Sequence, residues 1–574
     1  MSWFTAFPLD TLQLGHPKVL RVEDHQIVVF RTEDGAIFAL DNRCPHEGYP
    51  LSQGLVCGRV VTCSWHNYKF KLEDGACVLG EEAVRSWPLR VQDGMVQVDL
   101  SPPDPAFFLQ KQRASLNEAL YKNEPGRAIR DLHRLLGAGV GADVLLIELA
   151  AYDAAVGEYG CTHSPAAAAD LLALPELGVP ADPLLCLAQL SDAVGETLRR
   201  LPRRDVAAPE VSGGGAIEGQ PAVARLLQQV EAEDLAGAEA LLGRMLVEGW
   251  AWRHPTLALE PVFLELASAH FLDFGHPLIY VSKYRRLLQT TPEHQRDLLL
   301  GLLANIVYAT REELLPAWAG FRKRLATWTP GRIAAARLRT DTEPVAELEA
   351  ELTSLSPSDA LDRVWQALDE RSLAAVLKAL EGAAAERLWC FDPERGLSVT
   401  SQDTWLSVSH VLTYTRAVAS VAPRATDAQL LRLLAFATRF IAAARPLDGP
   451  RAPLPSPESG DSSVLVPALK TAISARDLEA ALHAAGGLPL PYLRDTLVDL
   501  VLHDHTAVRP IFWVHHLKTT LAAAEAAAIH SDLRGLFAVV RWMCRPGSER
   551  LTWRRTYEAR EFLEHGRPPK VLGP

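Results

Sequence analysis

RCPHEGYPLSQG (Arg43–Gly54) and CSWHNYKF (Cys63–Phe70) each set one cysteine and one histidine in a short loop. The first reads Cys44-Pro45-His46, the second Cys63-Ser64-Trp65-His66, with sixteen residues between His46 and Cys63. Working outward, Val19 to Leu100 reads as β structure. Alternating stretches HQIVVF, GAIFAL and GMVQVDL are separated by turn signals at Glu33-Asp34-Gly35, Glu73-Asp74-Gly75 and Asp93-Gly94. The Pro-rich SPPDPAFF (Ser101–Phe108) ends this texture. The pattern predicts a small all-β domain over residues 1–101, followed by a linker over 102–114.

Two thiols and two imidazoles can hold zinc as a Cys2His2 site. Zinc fingers, however, rarely combine Cys-x-His with Cys-x-x-His on β loops. RCPHEGYPLSQG and CSWHNYKFKLEDGACVLG resemble, throughout their length, Rieske ferredoxins and the Rieske domains of oxygenases. The resemblance implies one [2Fe–2S] cluster on Cys44, His46, Cys63 and His66, with two Cys on one iron and two His on the other. Neutral imidazole in place of thiolate raises the potential above that of an all-Cys cluster. Rieske domains of respiratory cytochrome complexes carry one further Cys in each loop, joined as a disulfide. Those positions are Tyr49 and Trp65 here, so the resemblance is to the soluble, ferredoxin-like, lower-potential kind. Cys57 and Cys77 lie outside the ligand pattern and are expected to be buried small hydrophobes.

At 574 residues the chain is too long for one core, and two to four domains are expected. A formal charge of −12 would repel phosphate, and no Lys/Arg stripe interrupts it, which argues against a nucleic-acid partner. MSWFTAFPLD lacks the basic start and apolar stretch of a secretory signal. The longest apolar runs are too short and too interrupted by charge to span a bilayer. Eight cysteines are too sparse for a disulfide scaffold, so a reduced, cytoplasmic protein without membrane attachment is expected.

From Ser115 onward long runs rich in Ala, Leu, Glu and Arg predict an all-α region over 115–574. Loops are expected at Arg203–Pro221 and Arg445–Ser463. A faint repeat links LIELAAYDAAVGEYGCTHSP (from Leu146) with FLELASAHFLDFGHPL (from Phe263) and, more loosely, LVDLVLHDHTAVRPIF (from Leu497). Stacked helical hairpins would explain it.

A cluster that moves one electron at a time needs an acceptor. The Asp-x-x-His-x-x-x-x-His pattern of ring-hydroxylating oxygenases does not occur after Pro103. Instead, GHPLIYVSK (Gly275–Lys283) resembles a motif of the questin oxidase-like family, helical proteins that oxidatively cleave aromatic polyketide rings. THSPAAAADLL (from Thr162), HVLTYTRAV (from His410) and HHLKTTLAA (from His515) are similar to further segments of that family, in the same order. The resemblance implies a mononuclear non-haem Fe(II) on His163, His276, His410, His515 and a carboxylated Lys518, with O2 as co-substrate. It departs at Tyr280, where the family has a second His, and at Thr162, where it has Asn.

His515 and Lys518 are three apart and share a helix face. Carbamylation of a buried amine would turn Lys518 into an anionic oxygen ligand suited to Fe(II). His516 competes with His515, because adjacent residues on a helix point about 100° apart. His503, His505 and His270 are weaker alternatives, Lys283 reads as a solvated charge, and Trp250, Trp252, Trp405 and Trp513 read as core. Two functions remain open. One is an oxygenase that takes electrons from an external reductase or ferredoxin to oxidise a small organic substrate. The other is an electron-transfer protein whose helical region is a partner-binding repeat scaffold without a second metal.

Overall fold

The computed structural model describes the chain except residues 1–2, 23–24, 47, 81, 200–203, 205–218, 291–293, 342–345, 393–404, 456–459, 504–509, 546–551 and 568–574. It divides into two compact units, one made of Met1–Ala142 with Leu551–Pro574 and the other of Asp143–Arg550. Most of the predicted 203–221 loop and part of the 445–463 loop lie outside the described residues.

The first unit begins with eleven short strands in three antiparallel sheets. β1 (Trp3–Pro8), β11 (Met95–Asp99) and β10 (Leu89–Gln92) form one. β2 (Lys18–Val22), β3 (His25–Arg31), β4 (Ile37–Asp41) and β9 (Ser86–Trp87) form the second. β5 (Leu55–Cys57), β6 (Val60–Thr62), β7 (Lys69–Lys71) and β8 (Cys77–Leu79) form the third. Strand structure starts earlier than the expected Val19, because β1 pairs along β11. The three turn signals all join strands, and Gly35, Gly75, Asp93 and Gly94 take positive φ there.

β3 shows how period-two alternation builds two cores. Ile27 and Val29 pack with Phe7, Trp87, Val96 and Val98. Val28 and Phe30 face the opposite way, onto Leu40, Val61 and Phe70, and this second core also contains Cys44 and Cys63. The cysteines are thus fixed from below by packed apolar side chains.

The segment expected as a linker is helical from Pro105, in a helix spanning Pro105–Lys122. Proline is favourable at a first helical position, and Asp104 caps the end by accepting from Phe107 N. This helix, its neighbour Pro125–Gly137 and the C-terminal helix Thr552–His565 belong with the β sheets, so the expected 102–114 break falls inside a unit. Glu82, in the loop after β8, explains the attachment. Its buried carboxylate accepts from Arg130 at 2.8 Å and from Arg134, both on the Pro125–Gly137 helix.

The second unit is helical. Four of its helices, Ser164–Ala173, His276–Thr290, Trp405–Val421 and Pro510–His530, pack in a closed ring, each against the next and the last against the first. Three of them are mostly apolar, as helices surrounded by others must be, while His276–Thr290 also carries Lys283, Arg285 and Arg286. Among the described residues no helix is long and apolar enough to cross a membrane.

Removing Glu82 leaves the buried Arg130 without its ion-pair partner and Arg134 with Asp131 alone. Glu82→Ala is expected to cost about 3–5 kcal/mol of stability in the first unit, measured as a lower urea midpoint. The two arginines hold the Glu82 carboxyl below its ordinary value despite burial. Its contribution is therefore present above the ordinary carboxylate range and lost as pH falls below it. Wild type should destabilise on acidification more steeply than the alanine variant.

Candidate functional site

The β4–β5 and β6–β7 loops carry the first site, and their backbones match. Cys44 N donates to Tyr49 O at 2.8 Å, and Gly48 N donates back to Cys44 O at 2.7 Å. Cys63 N donates to Tyr68 O at 2.7 Å, and Asn67 N donates back to Cys63 O at 3.1 Å. The residue closing each turn has positive φ, 76° at Gly48 and 63° at Asn67, the two residue types that tolerate it best. Both cysteines are buried, while His66 is exposed and His46 half-buried. The two Nδ1 atoms stand 3.1 Å apart above the thiols.

Tyr49 and Trp65 stack across the loops, centroids 5.7 Å apart and planes 13° from parallel. An aromatic contact thus joins the positions where a disulfide would otherwise stand. Cys57 is exposed on β5, where a buried hydrophobe is expected, while Cys77 is half-buried and packs against the second core.

The second site lies inside the ring of four helices. His163 precedes the first turn of its helix, and His276 opens its own. His410 and His515 sit a turn inside theirs. Their Nε2 atoms converge: 2.9 Å from His163 to His276, 2.8 Å from His276 to His410, and 3.1 Å from His410 to His515. The four could hold one metal ion.

Three rings spend their other nitrogen on a backbone carbonyl. His276 Nδ1 donates to Asp273 O at 2.7 Å, His410 Nδ1 to Leu406 O at 2.6 Å, and His515 Nδ1 to Ile511 O at 2.7 Å. A carbonyl only accepts, so the proton resides on Nδ1 and each Nε2 presents a bare lone pair. Burial drives all four imidazoles toward neutrality, His163 down to about 3 and the others well below their ordinary value. The His276–His410 and His410–His515 contacts, each between two bare Nε2 atoms, are therefore not hydrogen bonds. Their spacing is what nitrogens bound to a single ion at about 2.0–2.1 Å would keep.

The supporting geometry explains the GHPLIY segment. Asp273, Phe274 and Gly275 take three successive positive φ values, which bend the chain so that the Asp273 carbonyl meets His276. A Cβ on Gly275 would lie 2.1 Å from the Tyr414 ring, so only glycine fits. Tyr280 is buried, its ring centroid 5.7 Å from His276 and 6.1 Å from His163. Thr162 donates its hydroxyl and its N–H to the buried Asp153, at 2.7 and 2.8 Å, which holds the turn before His163. Of the two related helix junctions, one places His163 and the other His276 at a helix start. The junction of the third, looser segment lies outside the described residues, and His515 follows it inside the helix Pro510–His530.

Lys518 is 2% exposed, and its Nζ has no hydrogen-bond partner among the described residues. Burial lowers its amine to about 7. Asp170, the carboxylate whose charge acts on it, is committed to Lys283 at 2.6 Å. Lys283 is therefore ion-paired, where the sequence suggested a solvated charge. His516 points away from the quartet, edge-on to Trp405 at 4.9 Å. His270 bridges Glu313 and Glu231, and His503 pairs with Asp499. His505 lies outside the described residues. Trp250, Trp252, Trp405 and Trp513 are core.

Residues 2–91 match the Rieske [2Fe-2S] domain family. The chain is 34% identical over 116 residues to a 4beta-methylsterol monooxygenase of Methylococcus capsulatus, covering 18% of this chain and 31% of that one. It is 29% identical over 121 residues to a cholesterol 7-desaturase of Hemicentrotus pulcherrimus, covering 19% and 26%. It is 27% identical over 103 residues to the ferredoxin component of the naphthalene 1,2-dioxygenase system of Pseudomonas putida, covering 18% of this chain and 98% of the ferredoxin. The chain thus spans about a quarter to a third of the two sterol enzymes and nearly the whole ferredoxin. These likenesses carry oxidoreductase electron transfer for the N-terminal domain.

The reduced protein is expected to give the rhombic, low-average-g EPR signal of a mixed Cys/His [2Fe–2S] centre. His46→Ala and His66→Ala should each abolish it, while Cys57→Ser leaves it unchanged. Zinc without acid-labile sulfide would overturn the assignment of the four ligands.

Proposed function

We propose, from the premise that its N-terminal domain is a Rieske [2Fe–2S] domain, that this chain is a non-haem iron oxygenase. The reading assigns the cluster to Cys44, His46, Cys63 and His66, with an external reductase or ferredoxin as electron donor. It assigns a mononuclear iron to His163, His276, His410, His515 and a carbamylated Lys518, with O2 as co-substrate and a small organic molecule as substrate. The observation that carries it is the convergence of four neutral imidazoles, three of whose Nδ1 protons are already donated to carbonyls. Lone pairs so placed repel one another unless a cation lies between them. Imidazole with an oxygen anion is a donor set that suits Fe(II). An iron bound there would supply the one-electron chemistry that reduction of O2 requires.

The protein's own part is positioning. The carbonyls of Asp273, Leu406 and Ile511 fix three tautomers and ring orientations before any ion arrives. The four packed helices hold water away. Lys518 supports the fifth ligand by its burial and its unpartnered amine. Neutral amine plus CO2 gives a carbamate and one proton, replacing a buried cation beside four imidazoles with an anion.

Iron per chain tests the reading: about three on the proposal, two if the cluster alone is present and the helices form a scaffold. His276→Ala should lower iron by one atom, keep the Rieske EPR signal and abolish O2-dependent turnover. Lys518→Ala should lose the same iron, with bicarbonate aiding reconstitution of wild type. Full iron and turnover in Lys518→Arg would overturn the carbamate, since a guanidinium can neither be carbamylated nor bind the metal.

A further inference from the structure

Three of the ring helices carry a second feature one turn beyond their histidines. From His276 the same face leads to Ile279 and Lys283, from His410 to Thr413 and Ala417, and from His515 to Lys518 and Ala522. These side chains line one cavity of about 250 Å³. Lys518 is the shared wall. It lines the cavity and stands one helical turn from His515.

Size and charge restrict what the cavity takes. A 150 Å³ cavity accommodates benzene, so this one suits about two fused rings. Ile279, Ala417 and Ala522 offer such rings an apolar surface. Five cationic side chains line the space, and three are answered: Lys283 by Asp170, Arg286 by Glu176, and Arg416 by Glu381 and Glu525. Lys518 carries no positive charge once carbamylated, which leaves Arg285, and Arg285 makes no ion pair among the described residues. A half-buried guanidinium without a carboxylate is a ready partner for one supplied by a ligand, in two-point hydrogen bonding.

We infer that this cavity binds the substrate as an organic anion of about two fused rings, its carboxylate on Arg285 and its rings toward Lys518. The inference rests on the oxygenase reading for the word substrate, but its binding test does not.

The test is calorimetric titration of the full chain as isolated, under nitrogen, with 2-naphthoate and with neutral 2-naphthamide of the same shape. The acid should bind at least tenfold more tightly than the amide. Arg285→Gln should erase that difference, while Arg285→Lys, which keeps the charge and loses the two-point geometry, should keep only part of it. Ala417→Phe, which fills the cavity, should weaken both ligands at least tenfold. If that variant does not fold, the two Arg285 variants decide. Equal binding of acid and amide to wild type, or an unchanged preference in Arg285→Gln, would overturn the inference. A third iron with no preference for the acid removes this inference and leaves the iron reading. Two irons with the preference intact do the reverse.

Discussion

Lone pairs turned toward one another repel, and the helical unit is built to hold such an arrangement in its interior. Three of the four imidazoles are locked into it by backbone carbonyls, acceptors that no rotamer change can remove. The arrangement explains features that otherwise look arbitrary. Three left-handed residues precede His276 because the Asp273 carbonyl must reach back to its ring. A glycine at position 275 is needed where Tyr414 closes in. Four helices form a closed ring because each brings in one imidazole.

The two sites differ in how far the sequence discloses them. The Rieske loops put all four ligands within twenty-three residues, and their turn chemistry is local, so residue types and spacing suffice. The histidine quartet joins positions 113, 134 and 105 residues apart. No spacing rule spans such gaps, and only resemblance of four short segments singled these histidines out. What stayed hidden is tertiary. The choice of His515 over His516 depends on which face Trp405 covers, and the charge of Lys283 depends on Asp170 from another helix. Pro105 misled in a different way: proline signals a break in the middle of a helix, yet it is favoured in the first turn, where it stands here.

Matching backbones in the two Rieske loops show economy of design at the local level. The same pair of hydrogen bonds recurs, and the closing residue is Gly in one loop and Asn in the other. Tyr49 and Trp65 then link the loops by stacking. That contact does not depend on the redox state of its surroundings, as a disulfide would.

The placement of the C-terminal helix Thr552–His565 in the first unit bears on the order in which the chain matures. His133 and Glu564 meet at 3.0 Å across 431 residues of sequence. Closing a flexible loop of that length costs about 5 kcal/mol in chain entropy, on the (3/2)RT ln n scale. The helix repays it by burying Thr552, Thr556, Ala559 and Phe562, at lower cost once the intervening chain is no longer random. The β sheets, whose pairings are mostly local, can therefore assemble early on the ribosome. The helix Thr552–His565 therefore docks more readily once the residues between have condensed and shortened the effective loop.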